Sequence, residues 1–273
     1  MPKTIIVPLD GSDFAERALG PAAVLATRTS AELVLVTSPV VELEGDPHAY
    51  LVGAAERSGI APVERVVADR ATADAVRVVV EASPDPVVCM TTHGRSGIGH
   101  ALIGSVAESI LREVAVPILL VGPAVRPQLA TRFDNVVVCT DGSETAEAAV
   151  PVVAPWIQAL DLRSWVVQVV DPDAQRTVMR TGGDLAEAAL VRRVADELAT
   201  ADGGRPAWEV LHGGDVARAI LDFADGMPAS LIAMATHGRT GLARVALGSI
   251  AMSVVHDATC PVLVVRPDGL VAE

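Results

Sequence analysis

Two hydrophobic patterns alternate along the chain. Short, continuous apolar runs rich in Val, Ile and Leu predict strands at 5–9, 33–37, 63–67, 87–91 and 118–121, and again at 136–140, 165–170, 208–211, 231–235 and 262–265. Between them, apolar residues return every three or four places and predict helices near 14–28, 72–82 and 105–114, then 145–160, 184–200, 215–225 and 249–257. Apolar runs without alternation, interleaved with helices, indicate a parallel sheet covered on both faces. Asp13 with Glu16, and Ser105 with Glu108, have the spacing of a capping box. Residues 39–60 carry Pro39, Gly45, Pro47 and Gly53, which predict a loop with a short helix at most.

The pattern occurs twice. Ile5-Ile6-Val7-Pro8-Leu9-Asp10-Gly11-Ser12 returns as Val136-Val137-Val138-Cys139-Thr140-Asp141-Gly142-Ser143, an offset of 131 between Asp10 and Asp141. Thr92-His93-Gly94-Arg95 returns as Thr236-His237-Gly238-Arg239. From Gly94 to Gly238, Gly104 to Gly248 and Pro117 to Pro261 the offset is 144. The thirteen extra residues therefore fall between the first strand and the Thr-His-Gly-Arg loop, where a longer connection costs little. The expected organisation is one domain at 1–123, a linker at 124–133 containing Pro127 and Gln128, and a second copy at 134–273.

Composition narrows the function classes. Half of the residues are apolar (51%) but few are aromatic (3%), which suits Ala-rich helices packed closely on a Val-rich sheet. The formal charge of −13 argues against non-specific contact with a nucleic-acid backbone, which depends on Lys and Arg. Cys89, Cys139 and Cys260 are isolated in or beside apolar runs, so buried thiols are expected and a zinc site is not. Met1-Pro2-Lys3 runs directly into a strand and no apolar run has membrane-spanning length, which gives a cytoplasmic expectation.

The candidate chemistry lies at the ends of strands one and four. In each copy the Thr-His-Gly-Arg loop is followed nine residues later by Gly-Ser at a helix start, Gly104-Ser105 and Gly248-Ser249. Such a start leaves backbone N–H groups pointing outward into the positive end of the helix dipole, a site for phosphate. Arg95 and Arg239 add charge-assisted bonds to the same oxygens. Asp10 and Asp141, directly after strand one, would face the same crevice if strands one and four are neighbours, and could accept from ribose hydroxyls or a purine amino group. Plainer roles stand beside these: Asx turns for the aspartates, N-caps for Ser105 and Ser249, and loop-internal hydrogen bonds for His93 and His237. No P-loop, no GxGxxG after the first strand and no catalytic triad signature is present, so a dedicated catalyst is not expected.

With these motifs, and with both final strands introduced by Pro (Pro117-Ile118-Leu119-Leu120-Val121 and Pro261-Val262-Leu263-Val264-Val265), the chain resembles the universal stress protein family in a tandem form. The resemblance implies two doubly wound α/β domains, each a five-stranded parallel sheet of order 3-2-1-4-5 with helices on both faces. It also implies ATP as ligand, with Mg as its companion. The implied nucleotide residues are Pro8, Asp10, Val36, Gly94, Arg95, Gly104, Ser105 and Val106 in the first copy. In the second they are Thr140, Asp141, Gly238, Arg239, Gly248, Ser249 and Ile250. The family loop reads G-x-x-G, nine residues, then G-S; Thr91 and Ala235 stand in place of its first glycine. Pairing through fifth strands is implied, as a homo-oligomer or a built-in pseudo-dimer. Three functions stay open: an ATP-binding stress-response regulator with little or no catalysis, a partner-binding module without nucleotide, and a slow ATP hydrolase. Glu108 in the first copy, against Met252 in the second, predicts tighter binding in the second, because a carboxylate there would satisfy the N–H groups a phosphate needs.

Overall fold

The computed structural model describes residues 1–38, 45–59, 63–67, 71–93, 103–126, 132–171, 183–227, 230–237 and 247–267. The first half runs β1 (Thr4–Pro8), α1 (Asp13–Glu16), α2 (Leu19–Thr29), β2 (Glu32–Thr37), α3 (Pro47–Ser58), β3 (Val63–Val67), α4 (Thr72–Ala82), β4 (Pro86–Thr91), α5 (Ser105–Glu113) and β5 (Ile118–Val121). The second runs β6 (Asn135–Cys139), α6 (Glu144–Glu147), α7 (Ala149–Leu160), β7 (Arg163–Val170), α8 (Gly183–Asp202), β8 (Ala207–His212), α9 (Val216–Asp225), β9 (Ser230–Ala235), α10 (Ser249–Asp257) and β10 (Val262–Val265).

The ten strands among the described residues form one sheet, in the order β3-β2-β1-β4-β5-β10-β9-β6-β7-β8. Within each half the pairing is parallel and the order is the expected 3-2-1-4-5. Successive strand residues point to opposite faces. Ile5, Val7, Leu33 and Leu35 therefore join one core with α2, α3, α7 and α8, while Ile6, Val34 and Val36 join another with α4, α5, α9 and α10. Both cores run unbroken across the two halves.

The halves meet where β5 pairs antiparallel with β10: Leu119 faces Leu263, Leu120 faces Val262 and Ile118 faces Val264. Leu119 and Leu263 are repeat mates at the 144-residue offset, so the pairing is self-complementary about a pseudo-twofold axis between them. Each covers the edge the other would expose. On one face α2 packs against α7. Arg17 donates to the Pro123 and Val125 carbonyls, and Arg28 to those of Phe133 and Leu160. The expected linker is tied down at both ends: Arg126 N–H donates to the Thr259 carbonyl at 2.9 Å, and Phe133 is buried in the core.

Three expectations change. Residues 47–58 form a full helix: Pro47 occupies its first turn, Asp46 caps it by accepting from Ala49 N–H at 3.1 Å, and Leu51, Ala54 and Ala55 bury one face. The helices expected at 14–28 and 145–160 are each broken in two, after Glu16 and after Glu147. Pro21 and Pro151 sit third in α2 and α7. Each lacks the N–H that would bond the carbonyl four residues earlier, at Arg17 and Glu147, which favours a break there, where a proline in a first turn costs least, although α7 continues through Pro155 further on. Neither Asp13 nor Ser105 is an N-cap: Ser12 caps α1, and Gly104 precedes α5 with no side-chain cap. Most of the thirteen extra residues of the second half are in α8, 20 residues long against 12 in α3.

Candidate functional site

In each half the connection leaving β1 (or β6) goes to one face of the sheet and the connection leaving β4 (or β9) goes to the other. Between such diverging connections the carboxyl ends of a parallel sheet leave a crevice. A cleft opens there in both halves, of about 240 Å³ in the first and about 290 Å³ in the second.

One wall is the turn after the first strand. Asp10 Oδ1 accepts from Ser12 N–H at 3.0 Å and from the Ser12 hydroxyl at 2.6 Å; Asp141 Oδ1 does the same with Ser143 at 3.0 and 2.6 Å. The aspartates are thus Asx-turn formers and cleft-lining residues at once. Gly11 and Gly142 sit at φ 84° and 78°, a region that suits glycine. A repeated ion pair braces the helix that follows. Arg57 of α3 forks onto Glu16, with both bonds at 2.7 Å, and Arg193 of α8 forks onto Glu147.

The other wall is the exit of β4 or β9 and the start of α5 or α10. Gly104 N–H donates to the Thr92 carbonyl at 2.7 Å and Gly248 N–H to the Thr236 carbonyl at 2.8 Å. A Cβ on either glycine would lie only 3.2 or 3.3 Å from that carbonyl, so the helix start is seated against the strand exit by the lack of a side chain. Gly104 and Gly248 are the N-cap residues and, having no side chain, offer no acceptor; Ser105 and Ser249 are the first helical residues. The N-cap reading of the serines is thereby corrected, and the helix starts carry no side-chain cap of their own. Glu108, expected to satisfy those N–H groups, instead accepts from Arg112 at 2.6 Å, one turn further along. His93 and His237 are buried and engage the Thr92 and Thr236 hydroxyls through Nδ1 at 2.9 and 3.2 Å, the expected loop-internal role.

Pro8, Asp10, Gly104, Ser105 and Val106 line the first cleft, and Thr140, Asp141, Gly248, Ser249 and Ile250 the second. Val106 and Ile250 stand at equivalent places on the rims and are exposed apolar residues, 44% and 42% accessible. Val36 is fully buried in the core and does not line the first cleft; its repeat mate Val167 does line the second. Gly94, Arg95, Gly238 and Arg239 lie outside the described residues. Motif reading missed Thr72 and Met90 in the first cleft and Val169, Val216, Ile220 and Met234 in the second. Those from helices sit at the first residue (Thr72, Val216) or the second turn (Ile220), and a fold-level alignment of the two repeats was the signal that could have found them.

Fold and clefts together define a duplicated, doubly wound α/β protein that presents two ligand-sized crevices at its switch points. The chain belongs to the universal stress protein family, which matches residues 1–122 and 132–266. It is 31% identical over 141 residues to a universal stress protein of Methanocaldococcus jannaschii, covering 49% of this chain and 82% of that one. It is 26% identical over 201 residues to one from Mycobacterium bovis, covering 70% and 65%. The crystal structure of a universal stress protein from Archaeoglobus fulgidus superimposes on 97% of this chain and 99% of its own, with a TM-score of 0.66 at 18% identity, a likeness of fold. Among the described residues no helix is long and apolar enough to cross a membrane.

Proposed function

We propose that the chain binds an adenine nucleotide, ATP with its Mg, at its switch-point clefts and acts in the cytoplasm as a nucleotide-dependent regulator of the stress response, with little or no catalysis. The observation that carries this reading is the meeting, in both halves, of a strand-end carboxylate and an uncapped Gly-Ser helix start on one cleft. Phosphate oxygens would take the first-turn N–H groups and the Ser105 or Ser249 hydroxyl. Asp10 or Asp141 would accept from the ribose or the base. Arg95 and Arg239, with Gly94 and Gly238, would close the phosphate end. Bound ATP would regulate only as far as it favours one conformation or assembly over another.

A partner-binding module without nucleotide is the second reading. It is favoured by Thr91 and Ala235, which carry a Cβ into the clefts, and by the Thr91 hydroxyl, which holds the loop through the His93 carbonyl at 2.7 Å with no ligand required. Mass spectrometry of supernatant from the denatured, purified protein, with isothermal titration of ATP into the native chain, separates the readings. Released or bound adenine nucleotide supports the first, and an empty protein with no ATP heat overturns it. Rapid phosphate release would replace it with a hydrolase. The two family matches are read as two domains, 1–123 and 134–273, joined by 124–133. Since β5 and β10 already pair with each other, homo-oligomers would form through other surfaces.

A further inference from the structure

We propose that the two clefts have diverged in ligand chemistry. Among the described residues only the second opens an apolar side slot for a nucleotide base, so each chain carries one complete nucleotide site. The proposal rests on the nucleotide reading above and deepens it by assigning that site to one half.

The second cleft extends sideways between β7 and α9, where Val167, Val169, Val216 and Ile220 line it. Val169 and Val216 are half-buried and line the cleft. The register of β1 with β2 and of β6 with β7, and the 144-residue offset of α4 and α9, identify the first-half mates as Val36, Ser38, Thr72 and Val76. Val36 and Val76 are as buried as Val167 and Ile220, but they lie off the first cleft; so does the fully buried Ser38, whose mate Val169 is half-buried, and of the four only Thr72 reaches the first cleft. A small-molecule site needs mostly apolar walls for the body of the ligand and a few placed polar groups. Both clefts have the polar groups and a largely apolar lining; among the described residues, the second alone opens a further apolar side between its second strand and the helix that packs on it.

Two neighbouring differences run the same way. In the second half the corner N–H of Gly142 is satisfied locally, by the Thr140 hydroxyl at 3.0 Å. In the first, Gly11 N–H donates to the Tyr50 hydroxyl at 3.2 Å, so a side chain from α3 lies against that corner. The first turn of α5 also carries the Glu108 carboxylate, and the first turn of α10 carries no acid. A carboxylate so placed, even when paired with Arg112, lowers the attraction of the helix start for phosphate.

The test uses the full chain and ATP as probe. Thr72 and Val216 are both the first residue of their helix and both half-buried, so Val216→Trp and Thr72→Trp form a matched pair that fills each cleft by bulk. Titration calorimetry should give about one ATP per chain for the parent. Val216→Trp should weaken binding by about tenfold or more, and Thr72→Trp should leave stoichiometry and affinity where they were. Should Val216→Trp fold poorly, Val216→Asn makes the same wall polar at no added bulk and is expected to weaken ATP while sparing inorganic triphosphate. Two equivalent ATP sites, or loss of binding on Thr72→Trp but not on Val216→Trp, would overturn the assignment and leave the nucleotide reading standing. No ATP binding by the parent would remove both.

Discussion

Gly122→Ala tests whether the two halves are held as closely as the seam geometry requires. Gly122 follows β5 and abuts the end of α10. A Cβ built there would lie about 1.3 Å inside the 3.4 Å at which ordinary contact with the Val255 carbonyl oxygen begins. The obstacle is backbone, which cannot rotate away, and the Val255 carbonyl is anchored near the C-terminus of a helix. The seam would therefore have to open by roughly 1 Å along strands only four residues long. Overpacking of this kind costs about 1–3 kcal/mol, and the backbone contact places this case near 3 kcal/mol. At roughly 2–4 °C per kcal/mol for a chain of about this size, Tm should fall by about 6–12 °C in a scan followed by far-ultraviolet circular dichroism. Gly214→Ala is the control, since nothing lies within 4 Å of the added methyl, and it should move stability by no more than about 0.5 kcal/mol. A Gly122→Ala protein that melts with the parent would show that β5 and α10 do not approach as described. Two separated transitions would show that the halves do not unfold as one sheet.

Removing the hydroxyl in Ser12→Ala or Ser143→Ala deletes the bonds to Ala15 or Ala146 N–H and should cost about 1 kcal/mol each by urea titration; no loss would mean that the caps are water-replaceable. Asp141→Asn keeps the Oδ1 acceptor for Ser143 but removes the charge, so ATP affinity should drop by about tenfold with little change in Tm; unchanged affinity would separate Asp141 from the ligand. Burial pushes the Cys139 and Cys260 thiols up to about 12, and raises that of Cys89 further. All three should resist iodoacetamide at pH 8 until the chain unfolds, and prompt native labelling would contradict their burial. Because these folded-state values lie above that of an unfolded thiol, their contribution is whole below about pH 8.5 and is lost as pH rises toward 12. Denaturant midpoints should fall across that window.

The fold was legible because its inner strands, such as β1, β4, β5, β6 and β10, are buried on both faces, and such strands announce themselves as nearly continuous apolar runs rich in Val, Ile and Leu. α3 was obscured by reading Pro47 and Gly53 as breakers. Pro47 is a helix starter, and Gly53 is a mid-helix residue with the Arg57 guanidinium laid alongside it. The stripe Leu51, Ala54, Ala55 was present but weak, since alanines carry little pattern. At the site, Asp10, Asp141 and the Gly-Ser pairs were legible from repetition and chemistry. Val36 is buried beside the cleft-lining Pro8 rather than on the cleft surface, a placement that strand register decides and the sequence does not display. The slot residues Val169 and Val216 have no chemistry to mark them; only the packing of α9 on β7 brings them together.

The antiparallel join of β5 to β10 has a consequence for how this molecule can change. A symmetric dimer built from identical subunits must copy every substitution into both of its pockets. Covalent fusion removes that obligation while keeping the shared edge that each subunit needs. Gly122 and Arg266, mates at the 144-residue offset, already differ: one leaves room for the Val255 carbonyl, and the other reaches across to the Leu111 and Arg112 carbonyls. A single gene can thus alter one cleft while leaving its counterpart unchanged.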